Sequence, residues 1–205
     1  MASQSALKGF LSFTMLAAVA ACSSLPPGPR DLLDEHTGAT VTVVGAPITF
    51  AREPDGPPSA RQPNANANDQ SSHDFLTLVA IQKDDDGKYT QVLLLYRWSV
   101  FFSPVSSSPE EGAGKLIIEI DGHAIELQPL KQLPAGLPKP KDLFVPDTTA
   151  AAMHAYVTDV ETMRLIASSH ELTVRLPEES LSDPFTLWRD GRPALAQFVK
   201  QLSGP

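Results

Sequence analysis

Two Asp-Gly pairs constrain this chain more than any other feature. Asp86-Gly87 and Asp121-Gly122 each sit between runs that read as strands. Asp and Gly tolerate the positive φ that a type I′ turn requires at both central positions, so each pair signals a hairpin. The first joins Phe75–Gln82 to Lys88–Phe102, and the second joins Leu116–Ile120 to His123–Leu127. In the strand after Asp86-Gly87, one face carries Val92, Leu94, Tyr96, Trp98, Val100 and Phe102. The other face carries Leu93, Leu95, Arg97, Ser99 and Phe101. An apolar face backed by a half-apolar face predicts a central strand, covered on one side and partly on the other.

The remaining elements fit around these hairpins. Ala39–Val44 and Ile48–Phe50 are β-branched, partly alternating strands separated by Gly45-Ala46-Pro47. Residues 54–72 hold four prolines and the Asn64-Ala65-Asn66-Ala67-Asn68 run, with little to bury, and read as a long flexible surface loop. Residues 129–146 carry five prolines and read as an extended connection. Thr158 and Glu161 fit a capping box ahead of a helix whose face is Val160, Met163, Ile166 and Ala167. Leu172, Val174 and Leu176 alternate as a strand, and Leu195, Phe198, Val199 and Leu202 form a helical stripe after Pro193. The expected fold is α+β: antiparallel hairpins forming a sheet or sandwich, with one or two short helices packed on it.

Cys22 is the only cysteine, and it closes the run Val19-Ala20-Ala21-Cys22. Ahead of it lie Lys8 and an apolar stretch from Phe10 to Ala21, the layout of a secretory signal peptide. The stretch is shorter than the roughly 20 apolar residues of a spanning helix. The four-residue run resembles the lipobox of bacterial lipoprotein precursors. That resemblance implies cleavage before Cys22 and thioether lipidation of its sulfur. It divides the chain into a signal peptide (1–21), a lipidated cysteine with a Pro-rich tether (22–30), and one periplasmic domain (31–205). Ser23, where an Asp would favour the inner membrane, implies by the same resemblance an outer-membrane lipoprotein facing the periplasm. The tether Ser23–Arg30, at about 3.1 Å per residue, reaches about 25 Å.

Removal of residues 1–21 leaves 184 of 205 residues, enough for one sizeable core. It also removes Lys8, so 15 basic residues face 24 acidic ones and the net charge is −9. A surface of that sign disfavours both nucleic acid and anionic lipid head groups as partners. An acylated Cys22 leaves no thiol for a disulfide, a thiolate nucleophile or a cysteine zinc site.

From Arg30 onward the chain resembles a group of small proteobacterial lipoproteins of unassigned function. The matching residues are Arg30, Leu33, Asp34, Thr37-Gly38, Thr40-Val41, Pro47, Phe50 and Arg52-Glu53. Ala65-Asn66-Ala67 with Asp69 looks like that group's Ala-Asn-Ala-x-Asp segment, and a strand with Tyr96 and Trp98 follows. The likeness is best over residues 30–100. Asn68 stands where the group usually has Arg, and the loop containing His73 differs. The resemblance implies a lipoprotein and brings no catalytic residue with it.

Chemistry is sparsely signalled. Asp84-Asp85-Asp86-Gly87 suggests a calcium loop, but Gln82 and Leu93 stand where an EF-hand needs oxygen ligands, so a solvated turn is expected. His36, His73, His123, His154 and His170 lack metal-site spacing. No nucleophile elbow, phosphate loop or dinucleotide fingerprint is present, and no metal or cofactor is expected. Arg52 and Glu53, at a strand end, and Arg97, beside Tyr96 and Trp98, are the candidate contacts for a ligand or partner. The plain alternatives are a surface ion pair for Arg52-Glu53 and core packing for Tyr96 and Trp98, with Arg97 on the opposite face. Lys131, Lys139 and Lys141 form the one local basic cluster, suited to lipid phosphate or to a solubilising loop. The expected role is non-catalytic: a structural, adaptor or ligand-binding protein anchored to the membrane, with another envelope protein as a further partner. A hydrolase acting on envelope substrates is the alternative.

Overall fold

The computed structural model describes residues 27–34, 38–52, 74–99, 114–145, 152–176 and 184–203. Cys22, Glu53, His36, His73, the 54–72 loop and Val100–Phe102 lie outside them. A short 3-10 helix lies at Pro140–Leu143, and the described residues form ten strands and two α-helices. In order they are β1 (Arg30–Leu33), β2 (Thr40–Val43), β3 (Ile48–Arg52), β4 (Asp74–Asp85), β5 (Lys88–Ser99), β6 (Leu116–Ile120) and β7 (His123–Leu127). Then follow β8 (Ala152–Val157), α1 (Val160–Ser168), β9 (Leu172–Arg175), β10 (Phe185–Arg189) and α2 (Arg192–Leu202). This is an α+β fold, mostly antiparallel sheet with two short helices packed on it.

Both Asp-Gly pairs are hairpin turns with positive φ at each central residue: 55° and 84° at Asp86 and Gly87, 49° and 81° at Asp121 and Gly122. The Asp84 carboxylate accepts a 2.7 Å hydrogen bond from Gly87 N, so it belongs to the turn. β4 and β5 pair along their whole length, twelve residues each. The other edge of β4 takes β3 over Asp74–Leu78 and β2 over Ile81–Asp84, so β2 and β3 act as one strand broken at Gly45-Ala46-Pro47.

Every pairing in the sheet is antiparallel. The order runs β8-β5-β4-β2/β3-β10-β9-β6-β7. Immediately after β7, Pro129 bridges Tyr156 of β8, and Leu130 N donates to Ala155 O at 2.7 Å. The two ends of the order therefore meet, and the sheet closes on itself with eight staves. An even count is what an all-antiparallel ring requires. Eight strands enclose only enough space for side chains to fill. Phe50, Leu76, Leu93, Leu95, Leu116, Ile118, Tyr156 and Phe185 share the inner face by register, and each is at most 1% exposed.

One end of the ring is closed by the helices. α1 follows β8 and leads into β9, and α2 follows β10, so both lie at the end that carries the Asp-Gly turns. Met163 and Ile166 of α1, and Ala194, Leu195, Phe198 and Val199 of α2, are buried. The cap of α1 is Asp159, whose side chain accepts from Thr162 N, and not Thr158. The Thr158 hydroxyl is instead buried without a hydrogen bond, and the N-cap is displaced by one residue, with Thr162 rather than Glu161 at the third helical position. Pro193 takes the second position of α2, after Arg192. Gly191 is needed there because a Cβ would collide with the Pro47 backbone. The Asp121 carboxylate accepts from His170 N and Glu171 N, and Arg192 donates to Ser169 O and His170 O while pairing with Asp190. These bonds tie the second hairpin, the end of α1 and the start of α2 into one corner.

The outer face is apolar where it meets the Pro-rich segment. Val43, Ile81, Val92 and Leu94 are fully buried there. Residues 129–145 start at β8 and end against β1, where Arg30 donates to Asp142 O at 2.8 Å and lies over the Phe144 ring. Leu143 joins the core, and Leu130, Leu137, Phe144 and Val145 pack against it. This segment is a strap across the outside of β5, β4 and β2. Arg30 is correspondingly part of β1 and not of the tether.

Two outcomes follow for stability. Tyr96 is fully buried and its hydroxyl makes no hydrogen bond, and burial pushes its pKa up. An unsatisfied buried hydroxyl costs about 1–3 kcal/mol, so Tyr96→Phe raises stability by about 1 kcal/mol in urea unfolding, while Leu94→Ala lowers it by about 3 kcal/mol. The carboxyl of Asp121, held by the Glu171 and His170 amides, that of Asp159, held by Thr162 N, and that of Asp190, held by Arg192, all have lowered pKa values. A lowered folded-state pKa gives stability that is complete above the unfolded value, about 3.9, and is lost as pH falls through the folded value. Stability measured from pH 6 downward stays level to about pH 4 and then declines. Asp121→Asn makes that decline shallower.

Candidate functional site

The end of the ring opposite the helices gathers the charged residues that the sequence singled out. β3 ends at Arg52, β4 begins at Asp74, and β5 carries Arg97 near its end. Register sets Arg52 directly opposite Asp74, and Arg97 opposite Leu76. All three charged side chains therefore share the inner face at one rim. Arg52 Nη2 lies 3.0 Å from Asp74 Oδ2, and Arg97 Nη2 lies 3.6 Å from the same oxygen. The Arg52 guanidinium sits over the Phe185 ring, 4.4 Å from its centroid. Stacking on an aromatic face is available to a guanidinium because it is planar and weakly hydrated.

Arg52 is only 8% exposed. Its described partner is Asp74, twenty-two residues away in sequence. The chemistry is that of a charged stopper over an apolar interior. Two cations share one carboxylate, and the rim closes the packed ring electrostatically and sterically. Arg97 lies on the face opposite Tyr96 and Trp98, as strand alternation requires. Sequence reasoning found Arg52 and Arg97 but missed Asp74, the residue that joins them. The available signal was positional: Asp74 opens the strand that the Arg52 strand must pair with.

The outer face at this rim is aromatic. Phe75 stacks on Trp98, its cross-strand partner, with ring centroids 4.4 Å apart and planes at 15°. Trp188 meets Phe75 edge-on at 5.9 Å. Ala51 lies between them in β3, and its small side chain lets the rings approach. Trp98 is half-buried, not fully buried as strand reading expects, and its Nε1 donates to Thr77 Oγ1 at 3.0 Å. Trp188 is 66% exposed, at a bulge between Leu187 and Arg189. β10 and its tryptophan are absent from the sequence reading.

Among the described residues no three His, Cys, Asp or Glu side chains gather as a metal site, and no helix is long and apolar enough to cross a membrane. His123 and His170 both lie beside Asp121 at the helical end, away from Arg52 and Arg97. No family model matches the chain, and neither a curated protein nor a solved structure does.

The rim pair carries its own test. Asp74→Asn removes the charge that Arg52 and Arg97 share and lowers stability by about 2 kcal/mol, moderated by the partial exposure of Asp74. Arg97→Met, which loses the longer contact, costs less than about 1 kcal/mol. Equal losses in urea unfolding would contradict this ranking.

Proposed function

We propose that this chain is a lipid-anchored protein of the bacterial envelope, held at the outer membrane by Cys22 and facing the periplasm. Its folded domain serves as a non-catalytic structural or adaptor module. The observation that carries the second part is the packed interior of the ring. Buried side chains fill the middle of the ring, the space in which a small eight-stranded barrel would otherwise hold a ligand, and leave a polar cavity of about 430 Å³ toward the end of α2. The charged rim is consumed in bonds between its own residues. Recognition therefore belongs to the outer surface, where the exposed Trp188 ring, backed by buried Phe75 and half-buried Trp98, offers an amphipathic aromatic of the kind that protein interfaces use.

The anchor reading rests on the Val19-Ala20-Ala21-Cys22 run and the signal peptide ahead of it. It is supported by the exposure of Pro27 and Gly28 at the start of the described chain, where the fold begins at the surface. The test is labelled palmitate incorporation and membrane fractionation of wild type and Cys22→Ser. The wild type takes up label and sediments with membranes. Cys22→Ser takes up none and leaves the membrane fraction or keeps its signal peptide. Label persisting in Cys22→Ser would refute the anchor.

A further inference from the structure

We propose that the face formed by β1 and the strap rests on the membrane surface, with Lys139 and Lys141 against the phosphates of anionic phospholipids. The inference builds on the Cys22 anchor and says which way the domain faces once anchored. A cavity of about 530 Å³ opens between the two segments. Leu32, Leu33 and Leu137 line it, with Lys139 and Lys141 and with the acidic Asp34 and Asp142. Leu33 is 66% exposed, and both lysines are exposed.

Three observations single out the membrane as the occupant. The first is chain length. Pro27 is five residue steps beyond Cys22, so their Cα atoms are at most about 18 Å apart. Pro27 itself is pinned at the fold: a Cβ at Gly45 would collide with its carbonyl, so the chain crosses directly over that glycine before entering β1. The second is position. β1 is the first element after the tether, and the strap meets it through Arg30 and the Asp142 carbonyl. The membrane and the cavity are thus tied to the same short stretch of chain. The third is charge. The chain is acidic overall, yet Arg30, Lys139 and Lys141 cluster on this face against Asp34 and Asp142.

A tether this short raises the effective concentration of the lipid surface near the domain to the millimolar range. Two lysines and an exposed leucine then suffice for contact, although they would not hold an unanchored domain on a vesicle. Screening over about 8–10 Å at physiological salt confines the attraction to this nearest face.

The acylated full chain tests this directly. Its one native cysteine is consumed by the lipid, so Leu33→Cys provides a unique labelling site for an environment-sensitive fluorophore. Ala124→Cys provides the control, since β7 lies across the ring from β2 and Ala124 is exposed. Both proteins are reconstituted into phosphatidylethanolamine–phosphatidylglycerol vesicles carrying a lipid-borne quencher. The label at position 33 is quenched at least threefold more than that at 124. Lys139→Glu with Lys141→Glu brings position 33 down to the control level while the protein still floats with the vesicles. Equal quenching at 33 and 124 in floating protein overturns the orientation and leaves the anchor intact. Quenching at 33 that survives the double charge reversal overturns the role of the lysines. Failure of the wild-type protein to float, or flotation unchanged in Cys22→Ser, removes the anchor reading and this proposal with it.

Discussion

The joint between residues 129–130 and β8 governs the whole molecule. Without it the strands would form an open sheet with two long edges, one on β7 and one on β8. Unpaired edges are templates for aggregation, and closure removes them. The bridge from Pro129 to Tyr156 and the Leu130 to Ala155 hydrogen bond are short in extent but decide which face is inside. Tyr156 reinforces the joint from within, donating its hydroxyl to Gly114 O at 3.2 Å, at the foot of β6. The proline that makes the bridge has no N–H to offer the ladder, so pairing stops there and the chain departs as the strap.

Closure also gives the two ends of the ring different characters. At the helical end the polar bonds are backbone-directed. Asp121 receives two amide donors, and Arg192 delivers hydrogen bonds to two carbonyls, so the corner is over-determined. At the other end the bonds run between side chains, with Arg52 and Arg97 sharing Asp74. An aromatic alternative at Arg52 would have extended the core to the rim. The guanidinium instead keeps a flat apolar contact with Phe185 and a charged edge toward Asp74.

Local signals in the chain were informative where a single hairpin or turn decided the structure. The limits of β6 and β7 are those that the apolar pattern around Asp121-Gly122 implies, and β4 with β5 differs only in length. Three strands escaped reading. β1 is four residues long and follows a proline-rich stretch, so it passes for tether. β8, Ala152–Val157, has a composition in which alanine and methionine mask the β pattern, and its partners are β5 and the strap. β10 lies after a segment without periodic signal. Ring closure itself pairs residue 129 with 156, a contact that no local pattern encodes. The same limit applied at the rim: Arg52 and Arg97 were visible as isolated cations, but their common partner depends on the register of three strands. The strap shows the opposite case. Its prolines ruled out a helix throughout, and a short 3-10 helix does form at Pro140–Leu143, yet they gave no hint that Leu143 would be core.

The strap also connects the fold to the anchor. An extended segment that begins at the closing joint and ends on β1 is held at both ends by hydrogen bonds and in the middle by apolar burial. Residues 136–142 are therefore presented beside β1 by a rigid support, not by a loop that could fold back over the barrel. Lys139 and Lys141 extend from this support, whereas the aromatic rings at Trp98 and Trp188 sit on the outer face near the opposite rim. A domain that rests on lipid through its β1 face keeps the aromatic strip and the Arg52–Asp74 rim available to the periplasm. On the proposed anchoring, one closed sheet would separate two tasks: holding to the membrane near its first strand, and meeting partners at the rim farthest from the helices.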